Sequence, residues 1–362
     1  MHLVHHRSIE KCWWPDLAGC FPISSNGGGE SSFPKRSGTS PWSLVVAVCS
    51  AYTRRLMNRK RLLADLMLAF CSFIWGTTFV VIKDALADIS VVTYLAIRFG
   101  LAAILMAAIY WRTVRRLTLS EIGAGVQIGA FMFGGYVFQI AGLKYTTPSK
   151  AAFITGTFVV FVPIILAVFG HRRIRLWLWL GAAAAFAGLY LLTVPPEGFG
   201  ALNRGDPIVF GCAIMFALHM IFIGRFVGRY SVAALSFLQV ATTAVLSIAL
   251  VPIAAVRGWE HPHVMWTGYL VFAILLTAVG ATVVGMSLQT WAQQYASPSH
   301  AAILVSLEPV FAALTSLVLG AEHLSGRLVG GAGLILAGIL LAELKGAAPT
   351  PESLAVMSAA GE

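Results

Sequence analysis

The sequence predicts an all-α integral membrane protein of ten transmembrane helices, arranged as two inverted five-helix repeats. Three observations carry this: a composition too apolar for a water-soluble surface, a succession of long apolar runs, and a second half that echoes the first.

With 58% hydrophobic and 11% charged residues and a mean hydropathy of +0.81, a chain of 362 residues lacks the polar surface to coat a soluble globule. The net charge of +10 does not imply nucleic acid, because Lys and Arg stand in short clusters between apolar runs, as membrane topology requires.

The chain opens with MHLVHHRSIEKCWWPDLAGCFPISSNGGGESSFPKRSGTSPW, which has no sustained period and mixes Gly, Ser and Pro with isolated Trp and Cys. Residues 1–56 are expected to be a disordered, dispensable extension, with Met57 as the native start. The apolar stretch WSLVVAVCSAY at 42–52 has the length of a signal-peptide core. Cleavage behind it would leave Arg54, Arg55, Arg59, Lys60 and Arg61 outside, directly before the first long apolar segment, against the preference of such residues for the cytoplasm.

From there apolar runs of about 20 residues follow, each long enough to cross a hydrocarbon core of about 30 Å as a helix. They fall at 62–82, 91–110, 122–142, 149–169, 176–194, 206–224, 232–256, 268–290, 299–319 and 327–344, here spans 1 to 10. A short tail, 347–362, is expected to be disordered. Threading the chain through these spans puts fourteen cations on the side of the termini: the five at 54–61, then Arg112, Arg115, Arg116, Arg172, Arg173, Arg175, Arg225, Arg229 and Lys345. Six lie opposite: Lys83, Lys144, Lys150, Arg204, Arg257 and Arg327. The asymmetry places both termini in the cytoplasm of a plasma membrane, the inner membrane of a bacterium.

The echo fixes the architecture. Sliding 134–192 onto 284–342 without a gap pairs Gly135 with Gly285, Gln139 with Gln289, Tyr145 with Tyr295, Pro148 with Pro298, Ser149 with Ser299, Gly181 with Gly331 and Gly188 with Gly338. A shift of 141 extends the match upstream, pairing Asp65 with Asp206, Ser90 with Ser231 and Val91 with Val232, and setting Arg98 opposite Gln239. Residues 57–200 and 201–346 are therefore copies of one unit. Five spans is an odd number, so the second copy enters the membrane from the other side. Such inverted pairs suit transport, since two halves rocking about a midplane site expose it to each side in turn.

Several segments resemble one family: WGTTFVVIK at 75–83, AIRFGLAA around Arg98, TPSKAAFITGTFVVFVPI, and above all SPSHAAILVSLEPVFAALTSLVLGAEHLSGRLVGGAGLILAGILL. Over about residues 62–344 the chain is similar to the drug/metabolite transporter superfamily, specifically EamA-type ten-helix transporters. The resemblance implies a basket in which spans 1–4 and 6–9 surround a central cavity, with spans 5 and 10 outside. It also implies transport, usually outward, of amino acids and other small metabolites. The first copy departs at GHRRIRLWLWLG, where the second has GAEHLSGRLVGG, so no role for Glu322 carries over to that half.

Polar residues inside spans are the candidate substrate or ion pathway. Arg98 on span 2 must face protein, water or a partner, as a site for an anionic group or as a structural pair. Gln139 and Gln289, repeat mates, serve interhelical hydrogen bonding or the pathway. Trp75 and His219, on the first helix of each unit, form either an aromatic wall or plain packing. Glu308, present in one copy only, precedes Pro309, which has no N–H for the carbonyl of Val305 and is expected to kink span 9 near its middle. A carboxylate there is costly to ionise, which suits a protonatable switch or a neutral hydrogen-bonding group.

No nucleotide-binding loop, metalloprotease helix or other catalytic motif is present, so no enzyme and no cofactor is expected, and transport would be facilitated or coupled to an ion gradient such as protons. The five cysteines show no metal or disulfide spacing, and His261 with His263 is a weak hint of an external site, so no metal is expected. A sensor or scaffold would need an appended soluble module, for which neither end is long and apolar enough. The expected partners are a small-molecule substrate and the lipid bilayer.

Overall fold

In a computed structural model the chain is described over residues 41–346, apart from 144, 146–147, 170–173, 195–196, 199, 201–202 and 319–324. The first helix, α1, is Pro41–Ala85. It takes in residues 41–56 of the stretch expected to lack regular structure; residues 1–40 and the tail 347–362 lie outside the described residues. Residues up to Thr53 form a unit of their own, and everything below concerns the unit Arg54–Glu362.

After α1 come α2 (Val91–Ile109), α3 (Trp111–Val114), α4 (Leu119–Leu143), α5 (Pro148–Gly156), α6 (Phe158–Val168) and α7 (Leu176–Thr193). The second half holds α8 (Gly205–Phe226), α9 (Val232–Val256), α10 (Gly268–Leu275), a π-helical segment (Leu276–Val284), α11 (Gly285–Ala292), α12 (Pro298–Val305), α13 (Glu308–Val318) and α14 (Gly326–Gly346). No strand occurs among the described residues; Ile89 and Val264 form an isolated antiparallel bridge. Among the described residues, eight helical stretches are long and apolar enough to cross a membrane, and two shorter apolar helical stretches, Phe153–Val168 and Gly326–Ala342, stand where spans 4 and 10 were expected.

Span 9 is opened near its middle. It is two helices, not one kinked helix: α12 ends at Val305 and α13 starts at Glu308. Pro309 thus sits in the first turn of α13, where its missing N–H leaves no bond unmade. Span 4 breaks at the matching register, between α5 and α6 at Thr157, with no proline nearby until Pro163. What the breaks share is a hydroxyl turned back on the preceding helix. Thr157 Oγ1 donates to Ile154 O at 2.6 Å, and Ser306 Oγ donates to Ile303 O at 2.5 Å. Such side chains compete with the backbone ladder and loosen a helix.

Glycine sets the closest approaches. A Cβ on Gly181 would meet Gly338 O at 2.8 Å, and one on Gly188 would meet Gly331 O at 2.5 Å, so α7 and α14 touch backbone to backbone. A Cβ on Gly76 would meet Glu308 O at 2.5 Å, which brings α1 against the start of α13. Outside the bundle, the segment after α1 pairs with the loop before α10. Ser90 N donates to His263 O at 3.1 Å, Met265 N donates to Asp88 O at 2.7 Å, and Thr267 Oγ1 donates to Asp88 Oδ2 at 2.6 Å. Glu260 accepts from Val91 N and Val92 N at 2.8 and 2.9 Å, taking the capping role at the start of α2. In the second repeat Ser231 caps α9 itself, accepting from Ala234 N at 3.1 Å.

Candidate functional site

A cavity lies among α1, α2, α4, α5, α6, α8, α11, α12 and α13. All six candidate pathway residues, Glu308, Arg98, Trp75, His219, Gln139 and Gln289, line it. So do residues that the sequence reading passed over, among them Thr78, Tyr136, Thr155, Phe158, Phe216 and Met286. The repeat register explains this set. Trp75 and Phe216, and Thr78 and His219, are 141 apart; Tyr136 and Met286, Gln139 and Gln289, Thr155 and Val305, and Phe158 and Glu308 are 150 apart. Twelve of the fifteen lining residues are therefore repeat mates, leaving Ile82, Arg98 and Met220. The same register recurs in the packing around the wall: a Cβ on Gly135 would come within 2.5 Å of the Phe216 ring, and one on Gly285 within 2.9 Å of Trp75 Nε1.

On this paired frame the charged groups are unpaired in sequence. Arg98 is 2% exposed; its Nε donates to Thr282 Oγ1 at 3.1 Å, and its guanidinium carbon stands 5.1 and 5.2 Å from the ring centres of Phe99 and Tyr136. Both rings offer a cation–π face. No carboxylate lies within the 4.0 Å of an ion pair to Arg98 among the described residues, so the carboxylate partner allowed for it is not found. Glu308, first residue of α13, is half-buried at the cavity wall.

The polar residues around them are tied into chains. Gln239, the mate of Arg98, donates from Nε2 to Thr290 Oγ1 at 2.9 Å, and the Thr290 hydroxyl donates to Met286 O at 2.7 Å. Gln239 Oε1 is therefore an acceptor, and His219 Nε2, 2.8 Å away, is its donor. Trp75 Nε1 donates to Ala281 O at 2.9 Å, within the π-helical segment. Gln289 is 3% exposed, and its Oε1 has no hydrogen-bond partner among the described residues.

Further along α1, His300 Nε2 is 2.9 Å from Asp65 Oδ1, joining α12 to α1 through a nearly buried pair. Of the two external histidines, His263 Nδ1 lies 3.2 Å from His261 O, and no cluster of three potential metal ligands occurs among the described residues. Cys71 and Cys212 are buried free thiols.

A helical membrane body around a cavity that carries a guanidinium, a carboxylate and aromatic walls has the form of a small-molecule transporter. A family model for EamA-like transporters matches residues 62–194 and again 203–344, and the chain belongs to that family. It is an integral membrane transporter of the drug/metabolite transporter superfamily. It is similar to an uncharacterized transporter of Archaeoglobus fulgidus, 34% identical over 79% of this chain and 87% of that protein. It is also similar to the uncharacterized transporter YvbV of Bacillus subtilis, 22% identical over 82% and 97%. A solved crystal structure of a protein shares its fold, with a TM-score of 0.66 and 20% identity over 78% of this chain and 97% of that one.

Proposed function

We propose that the chain is a proton-coupled exporter of small metabolites such as amino acids, working by alternating access. In this reading ten spans form two inverted five-span units, 57–200 and 201–346, with both termini in the cytoplasm of the inner membrane. The double family match, the mated lining residues and the reciprocal contacts Gly181 to Gly338 and Gly188 to Gly331 support it. Each is what two copies related by a pseudo-twofold axis make.

The observation that carries the coupling is Glu308. It lines the cavity at the break between α12 and α13, with no cation within 4.0 Å among the described residues. An ionised carboxylate without a counter-charge in a membrane interior is costly, so it takes up a proton or a cationic group. Its backbone carbonyl faces Gly76, so a shift of α13 is felt directly by α1. Proton uptake on one side and release on the other, as the halves rock, would couple an inward gradient to outward movement of substrate.

Glu308→Gln keeps the shape and hydrogen bonding and removes ionisation. In proteoliposomes the variant should still move substrate while its flux no longer responds to an imposed pH gradient. A gradient response equal to wild type would make Glu308 a structural residue.

A further inference from the structure

The π-helical segment Leu276–Val284 has no counterpart in the first repeat, where the matching residues 126–134 lie within regular α4. Its wider turns follow from side chains set into the ladder: Thr277 Oγ1 donates to Ala273 O at 2.7 Å, and Thr282 Oγ1 donates to Thr277 O, five residues back, at 2.9 Å. With its proton committed there, the Thr282 oxygen accepts from Arg98 Nε. The widened turns therefore face the cavity cation with an acceptor.

Arg98 is thus tied back along its Nε edge, covered by Phe99 and Tyr136, and without a carboxylate in ion-pair reach. A buried guanidinium in that state is under-compensated, and its terminal amino groups form a planar fork matched to two carboxylate oxygens. We propose that Arg98, positioned by Thr282 of the π-helical segment, is the docking point for the carboxylate of the transported molecule. A doubly charged phosphate fits less well, since one guanidinium cannot balance it in a cavity that also holds Glu308. The best fit is an amino acid: its carboxylate on Arg98, its ammonium toward Glu308 and the Gln289 amide, and its side chain among Trp75 and Phe216. The proposal rests on the cavity being the transport site, but not on proton coupling.

Binding to the purified full-length protein tests it, read as thermal stabilisation by each common amino acid and by the primary amide of the same amino acid. At least one acid should stabilise the wild type and its amide should not. Arg98→Ala should remove the preference for acid over amide, and Arg98→Lys should keep part of it. Thr282→Val should weaken binding of the acid about tenfold, the scale of one lost hydrogen bond to a charged group, and Thr282→Ser should restore it. Glu308→Gln, which removes a partner of the ammonium that acid and amide share, should weaken both alike and leave the acid-over-amide ratio unchanged, which separates this site from the coupling site. Equal stabilisation by acid and amide, no stabilisation by any acid, or an unchanged preference in Arg98→Ala overturns the docking site. A Thr282→Val protein that is merely less stable, with wild-type preference and affinity, removes Thr282 from it.

Discussion

At the scale of single residues, the cavity is shaped as much by what is missing as by what is present. Gly135 and Gly285 leave room for Phe216 and Trp75, and a methyl group at either position would overlap a ring. Gly135→Ala should therefore destabilise the protein by about 1–3 kcal/mol, the usual cost of overpacking, and lower transport, read as a drop in melting temperature and in substrate flux. Asp65 and His300 make a different kind of test. In the first repeat the residue matching His300 is Lys150, and the residue matching Asp65 in the second is Asp206. A lysine is thus a substitution that the fold has already used at this register. His300→Lys should keep transport near wild type and His300→Ala should reduce it; equal activity in both would show that the contact with Asp65 is dispensable.

Glu308 and Arg98 were legible in the sequence because a charge within an apolar run is costly and has to be satisfied there. Tyr136, Phe158 and Phe216 were not, because an aromatic residue in such a run looks like packing, although sliding the candidates by 141 or 150 residues reaches Phe158 from Glu308 and Phe216 from Trp75. Thr282 was hidden for another reason: its role depends on a π-helical turn, and hydrophobic periodicity does not report one.

At the scale of elements, the span boundaries could be read from apolar length, but the interruptions could not. The Glu-Pro pair drew attention to span 9, yet span 4 breaks at the same register without it. Pro309→Ala should therefore leave the break in place, with transport retained; a folded variant that no longer transports would show that the proline itself makes the discontinuity. The start of α2 carries a second element-scale expectation. Glu260 reaches it from the loop after α9, so Glu260→Ala should cost about 0.5–2 kcal/mol, the range of a lost helix cap. Thermal unfolding of the variant beside wild type measures it.

At the scale of the whole molecule, the repeat does most of the organising. Several close contacts join the two copies: Asp65 with His300, Gly76 with the start of α13, and α7 with α14. The charge asymmetry makes a matching topological prediction. A reporter fused after Lys345 should be active in the cytoplasm and silent outside it, and the reverse result would overturn the orientation.

Apolar composition, span lengths, loop charges and the repeat register were determined by the sequence alone, because each is a property of the chain read along its length against a fixed solvent. The tertiary structure decided which polar residues meet. Arg98 and Thr282 are 184 residues apart, and Asp65 and His300 are 235 apart. Whether a buried charge is paired depends on distances between helices, which no periodicity along one helix contains. The structure thus placed Arg98 and Glu308 on one cavity without pairing them.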